Sequence, residues 1–218
     1  MKIQHEHEAK FYSQNGEDGV ISTILAEIGD CQRTFIEIGT GDGTECNCMH
    51  LKKDLGWSGL FVDAAFENES IRKAFITKDN VQEVLLSYKA PRMPRVFSID
   101  IDGNDFHVLK NVGPFLPDGV LVCEYNGHFK HDELAVMPYN PDWKWEGTRF
   151  YGASQAAMHR LGNELGYSLV YSNYVNLFFV SNKYRSHFED ADTRQLYKEP
   201  WSHLPDDRIS LMNNPWGT

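Results

Sequence analysis

Two strand-like runs, YSLVY (167–171) and VNLFFVS (175–181), are separated only by Ser172 to Tyr174. So short a connection suits antiparallel pairing and cannot hold a crossover helix. The preceding chain reads differently, as alternating strands and helices. Ser22 to Ile28 reads as a helix end, Thr34 to Ile38 as a strand, and Cys46 to Leu55 as a helix closing at Gly56. SGLFVDA, RVFSIDID and GVLVCEYN follow as strands, interleaved with a short helix in NVQEVLLSY and a helical turn in FHVLKNV. In GASQAAMHRLGNELGY, Ala153, Ala157, Met158, Leu161 and Leu165 recur at helical spacing, with Gly166 placed as a C-cap. This alternation implies an α/β fold: a mostly parallel central sheet with helices on both faces, ending in an antiparallel hairpin.

A chain of 218 residues is most simply one such domain. Its expected parts are an N-terminal cap and helix (1–33), a Rossmann-like core (34–181) with an insertion at about 127–150, and a C-terminal tail or lid (182–218). An aromatic content of 13% suits a packed core rather than a disordered chain. A formal net charge of -10 argues against nonspecific binding to nucleic acid or anionic membrane, because both are polyanions. A small-molecule or glycan partner is expected instead.

The start, MKIQHEHEAKF, has no apolar core of signal-peptide length, and no later run approaches the ~20 apolar residues of a membrane span. The expected location is therefore the cytoplasm. Cys31, Cys46, Cys48 and Cys123 fit no disulfide framework, and Cys46 and Cys48 stand too close for the usual zinc spacing, so reduced, partly buried thiols are expected.

The stretch FIEIGTGDGTE (35–45) reads as a buried strand, a glycine turn and a helix start. Glycines at this density let the backbone turn sharply and approach a ligand without a Cβ in the way. A dinucleotide fingerprint would be G-x-G-x-x-G, but Gly39, Gly41 and Gly43 give G-x-G-x-G. Glu37 suits a ligand carrying positive charge, such as the sulfonium and amino group of S-adenosylmethionine, whereas a pyrophosphate would be repelled. Asp63, ending the second strand, offers one carboxylate to both ribose hydroxyls. A parallel sheet finishing in an antiparallel hairpin is also the arrangement of the class I methyltransferase fold.

YSQNGEDGVI (12–21), FIEIGTGDGTE, GWSGLFVDA (56–64), FSIDIDGNDFHVL (97–109), CEYN (123–126) and YGASQAAMHRLGNELGYSLV…NLFFV (151–180) together resemble FkbM-type S-adenosylmethionine-dependent methyltransferases, particularly the bacterial branch found with surface-polysaccharide genes. The resemblance runs from Phe11 to Val180 and keeps the motif order. It implies a Rossmann-like class I methyltransferase fold and methyl transfer, usually to a sugar hydroxyl. Few residues separate Asp63 from FITKDNV, where family members carry a longer connection; Asp79 or Asn80 is the candidate for the adenine. Gln14 and Asp18, in a polar loop before the first strand, are candidates to close over the cofactor, or alternatively to cap the following helix.

The chemistry is expected where the fourth and fifth strands end. Asp100 and Asp102 are two apart and share one side of an extended chain, and so do Glu124 and Asn126. Neighbouring strands would bring these groups together at the carboxyl edge of the sheet, where open α/β sheets bind ligands. Two readings compete. In one, Asp100, Asp102, Glu124 or His128 is the general base that takes the acceptor proton. In the other, Asp102, Glu124 and Asn126 hold a hard divalent cation, Mg²⁺ or Mn²⁺. A third, structural reading has Asp102 and Asn104 building the turn at Gly103. The expected cofactor group is Gln14, Asp18, Glu37, Gly39, Gly41 and Asp63, with Asp100 counted in both groups. His131 is a weaker candidate beside His128, and His107 could face either core or site.

Tyr139, Trp143, Trp145 and Tyr151 fall in the insertion, where aromatic faces suit a sugar or a nucleobase. Lys144 or Arg149 could meet an acceptor phosphate. An NAD-dependent oxidoreductase using the same cleft is the alternative enzyme class. A non-catalytic cofactor-binding subunit that holds its partner through the tail is the alternative outside enzymology. A homodimer is compatible with either.

Overall fold

The computed structural model describes residues 1–189, 192–197, 204–205 and 208–217. At its centre is a seven-stranded sheet: β1 (Thr34–Ile38), β2 (Ser58–Asp63), β3 (Ile71–Lys73), β4 (Val96–Ile99), β5 (Val120–Glu124), β6 (Tyr167–Ser172) and β7 (Asn176–Ser181). The spatial order is β3-β2-β1-β4-β5-β7-β6. β1 to β5 pair in parallel, while β7 runs antiparallel to both β5 and β6. This order, with its reversed β7, is the Rossmann-like class I methyltransferase fold.

Alternation along each strand divides the core between two faces. Ile36 and Ile38 of β1, with Leu121 and Cys123 of β5, pack against α3 (Val81–Ser87), α4 (Asp105–Leu109) and α5 (Gln155–Glu164). Phe35, Val120 and Val122 face the other way, onto α1 (Glu17–Ile28) and α2 (Met49–Lys53). Burying each large apolar side chain contributes about 1.5–3 kcal/mol. Glu37, Glu124 and Asn176 share strand parity with this second set, so the polar ends of three strands project toward α1.

Three boundaries differ from expectation. β3 is short, with only Ile71 of its three residues buried, so no apolar run announces it. The helix expected from Cys46 is α helix only over Met49–Lys53, because Cys46 to Cys48 form a turn. β4 stops at Ile99, leaving Asp100 and Asp102 in a turn rather than on a strand.

The insertion after β5 folds back on the sheet edge. Asn126 bridges Ser154, and Val136 bridges both Ala153 and Asn213 of the tail. Met137, Trp143 and Phe150 form a small core of their own. In the described tail, a 3₁₀ turn covers Asn182–His187 and a short α6 covers Thr193–Leu196. Of the Pro- and Trp-rich tail, expected from sequence as a lid or partner surface, Trp216 packs against Phe106 and Arg160, whereas Pro200 and Trp201 lie outside the described residues. Among the described residues no helix is long and apolar enough to cross a membrane.

Candidate functional site

β1 lies between β2 and β4: the chain runs from β1 out through β2 to β3 and then crosses back to β4 on the other side of β1, and this change of direction opens a crevice at the carboxyl edge. The glycine turn follows β1 at this crevice. Gly39 has φ +86°, and a Cβ there would stand 1.6 Å from the Asp100 carbonyl oxygen. Only glycine lets the ends of β1 and β4 pass so closely. Gly41, φ +53°, has nothing within 4 Å of its missing Cβ, so its backbone faces open space. A cavity of about 460 Å³ lies there, in the range of small-molecule sites.

Gln14, Glu37, Gly39, Gly41, Asp63, Asp100 and Asp102 all line this cavity. Asp63 fixes the rim: one carboxylate oxygen accepts from the Gly41 amide at 2.8 Å and the other from Ala65 at 2.7 Å and Phe66 at 3.0 Å. A carboxylate oxygen has further lone-pair capacity, so Asp63 can still accept from a ligand. Glu37 is 3% exposed and accepts from the Asn47 and Cys48 amides, both at 2.7 Å. Burial lifts its carboxyl to about 7, against the lowering pull of those two amides.

Asp18 stands elsewhere. Its carboxylate is buried and accepts from the backbone of Phe11, Tyr12 and Ser13 and from the Ser13 hydroxyl at 2.7 Å. It thus ties down the loop before α1 and does not line the cavity. The neighbouring Glu17, which residue-type reasoning passed over, does line it and receives Asn173 Nδ2 at 2.7 Å. The signal for Glu17 was present in the same loop motif, but only the hairpin carrying Asn173 reveals it.

Asp100, Asp102 and Glu124 converge, one oxygen from each lying within 4.8 Å of the other two. They meet through a turn. Asp102 adopts φ +55°, and buried Asp105 accepts from the Ile101 and Gly103 amides at 2.9 and 3.0 Å to hold that turn. Burial pushes the Asp100 carboxyl well up, reinforced by the charges of Asp105 and Asp102; Glu124 moves the same way, from burial and then Asp100. Asp105 itself is raised to about 6, chiefly by burial. Glu124 is 8% exposed, and its Oε2 has no hydrogen-bond partner.

Asn126 does not join them. Its amide nitrogen donates to the Arg149 and Tyr151 carbonyls, both at 2.8 Å, and its oxygen accepts from the His128 amide at 3.0 Å. Both ends of the side chain therefore hold the insertion, so the expected trio of Asp102, Glu124 and Asn126 does not come together; the acids that converge are Asp100, Asp102 and Glu124. His128 is half-buried, edge-on to Tyr151 at 6.5 Å, and is not a lining residue. His131 lies on a separate surface groove with His159 and Arg160. His107 meets the Met137 carbonyl at 2.7 Å, and burial lowers its pKa.

Of the aromatic residues, Trp143 lines the cavity. Its indole donates to the Asp102 carbonyl at 2.9 Å, and its ring lies where a Cβ on Gly103 would be, 2.3 Å away. Tyr151 is near enough to the acids that, after burial, the charges of Glu124, Asp100 and Asp102 raise its pKa. Trp145 is 45% exposed and donates to the Thr148 carbonyl, and Lys144 is exposed. Asp79 accepts from Tyr139, while Asn80 closes its own turn through Thr77 and Phe75. Neither lines the cavity. Phe66 and Phe75, 47% and 42% exposed, do so in their place and form its apolar wall.

No family model and no curated protein matches the chain. Similar solved structures include a candidate hemolysin from Lactococcus lactis, 11% identical, covering 78% of this chain and 88% of that one with a TM-score of 0.41. Another is MycE methyltransferase from the mycinamycin biosynthetic pathway, in complex with Mg, S-adenosylhomocysteine and mycinamycin VI: 12% identical, 74% and 48% covered, TM-score 0.48. A third is a LepI variant in complex with S-adenosylhomocysteine and a substrate analogue: 15% identical, 72% and 45% covered, TM-score 0.41. The chain spans about half the length of the latter two.

Proposed function

We propose that the chain is an S-adenosylmethionine-dependent O-methyltransferase of FkbM type, acting on a sugar, glycan precursor or related phosphorylated metabolite in surface-polysaccharide synthesis. The observation that carries this reading is the single cavity shared by the Gly39–Gly41 turn, the Asp63 carboxylate and the acidic edge of β4. The open space beside Gly41 and the apolar wall of Phe66 and Phe75 fit a nucleoside with a cationic tail. The carboxyl groups of Glu37 and Glu17 border the space for that tail, an acidic lining that suits a cation and disfavours a pyrophosphate.

The cofactor, when bound, supplies an electrophilic methyl group on sulfur. Asp63 would accept from the ribose hydroxyls, Phe66 and Phe75 would pack against the base, and Gln14 would screen the rim from water. Asp100, Asp102 and Glu124 orient the acceptor hydroxyl. One of their carboxylate oxygens would take the proton of that hydroxyl as it becomes methylated. Much of the rate would come from this alignment.

Calorimetric titration with S-adenosylmethionine and, in parallel, NADH tests the reading. Selective binding of S-adenosylmethionine, weakened at least about tenfold in Asp63→Ala, is expected from the loss of a charge-assisted acceptor. Binding of NADH alone, or an affinity unchanged in Asp63→Ala, would overturn it. A turnover assay on the purified chain then separates an enzyme from a binding subunit.

A further inference from the structure

We propose that Asp100, Asp102 and Glu124 form a binding site for a hard divalent cation of the Mg²⁺ or Mn²⁺ kind. Three carboxylates from two neighbouring strand ends bring oxygens within 4.8 Å of one another. Oxygens on opposite sides of such a cation stand about 4 Å apart, so a small closure of the exposed Asp102 side chain completes the set. All-oxygen ligation selects these metals over zinc.

An acidic cluster alone would not distinguish a cation site from a solvated turn. The second observation is a pair of unsatisfied buried acceptors. Oε2 of Glu124 is buried without a hydrogen-bond partner, and so is Oδ1 of Asn176, a residue 2% exposed that lines the same cavity. Glu124 and Asn176 are register partners across β5 and β7, so their side chains stand on one face of the sheet. Asn176 directs its amide nitrogen to Glu17 at 3.4 Å, and its oxygen is left without a donor. Buried acceptors without donors carry a desolvation cost, and a cation supplies what both lack. The site lies beside Trp143, on the acceptor side of the cavity. There a cation would orient vicinal hydroxyls or a phosphate, a role that rests on the methyl-transfer reading, whereas the binding itself does not.

The test is titration of EDTA-stripped full-length protein with MnCl₂, followed by loss of the free Mn²⁺ electron paramagnetic resonance signal. One equivalent is expected to bind, and Mg²⁺ is expected to displace it. Glu124→Gln and Asp102→Asn should each weaken binding at least about tenfold, whereas Glu83→Gln, an exposed helix position, should not. Circular dichroism checks each fold, and the exposed Asp102→Asn serves if Glu124→Gln does not fold. No Mn²⁺ binding up to about 1 mM, or binding unchanged in the folded variants, would overturn the proposal. S-adenosylmethionine titrated into the same stripped protein keeps the two readings apart: cofactor binding without Mn²⁺ binding sinks the cation site alone, and the converse sinks the methyl-transfer reading alone.

Discussion

At Gly39 the backbone takes a positive φ, and the missing Cβ is replaced by the carbonyl of the neighbouring strand. Gly39→Ala therefore adds strain and a backbone clash at once. A loss of at least about 2 kcal/mol is expected by denaturant titration; a loss below about half of that would mean that β1 and β4 can separate cheaply. Glu37 carries a different prediction. Its carboxyl rises from an ordinary 4.5 to about 7 on folding, mainly through burial. The folded state thus holds a proton that the unfolded state releases between those values. The stability from that proton is complete below the unfolded value and is lost as pH rises through 7. Glu37→Gln cannot titrate, so wild-type stability minus that of the variant should be greatest at about pH 4.5 and should fall steadily toward about pH 8. Thermal midpoints across that range check it, and a wild-type midpoint that rises relative to the variant's as pH increases would contradict it.

Among elements, α5 is the one that fastens the insertion. Its N-cap, Ser154, accepts from the Ala157 amide at 3.2 Å and from Ala135 at 3.1 Å, and donates to the Glu133 carbonyl at 2.5 Å. The hydroxyl is completely buried. Ser154→Ala removes a cap worth about 1 kcal/mol and orphans the buried Ala135 amide at about 1–3 kcal/mol more. The expected result is a total near 2–4 kcal/mol, together with faster amide exchange over residues 133–153 than elsewhere. Uniformly unchanged exchange there would show that the insertion is held by its aromatic core instead.

The whole molecule is tied at its other edge by Arg95, which precedes β4 and is fully buried. Its guanidinium donates to the Ile28 carbonyl at 2.7 Å, to the Gly29 carbonyl and to the Tyr184 hydroxyl at 2.6 Å, with Asp118 at 3.5 Å. It joins the end of α1, the sheet and the segment after β7. Arg95→Met keeps the apolar stem but strands these acceptors, and a loss of about 3–5 kcal/mol in urea unfolding is expected. A change below about 1 kcal/mol would show that water can replace the guanidinium.

Periodicity alone determined the parallel core and the closing hairpin, because strand and helix repeats are local properties and three residues cannot hold a crossover. Glycine density and residue type also singled out the turn and Asp63, which line one cavity. Tertiary structure decided the rest. Asp100 and Asp102 do meet Glu124, but by way of a turn held by Asp105, since β4 ends at Ile99. Asn126 and Asp18 have the right residue types in the right loops, yet their polar atoms are spent on backbone far along the chain or just before α1. Phe66, Phe75 and Asn176 enter the cavity from segments whose local sequence says nothing of a site, and of the four aromatic residues expected in the insertion it is Trp143 that lines it. A side chain's type is written in the sequence, whereas its partners are fixed only when distant strands are paired and each polar atom is claimed or left over.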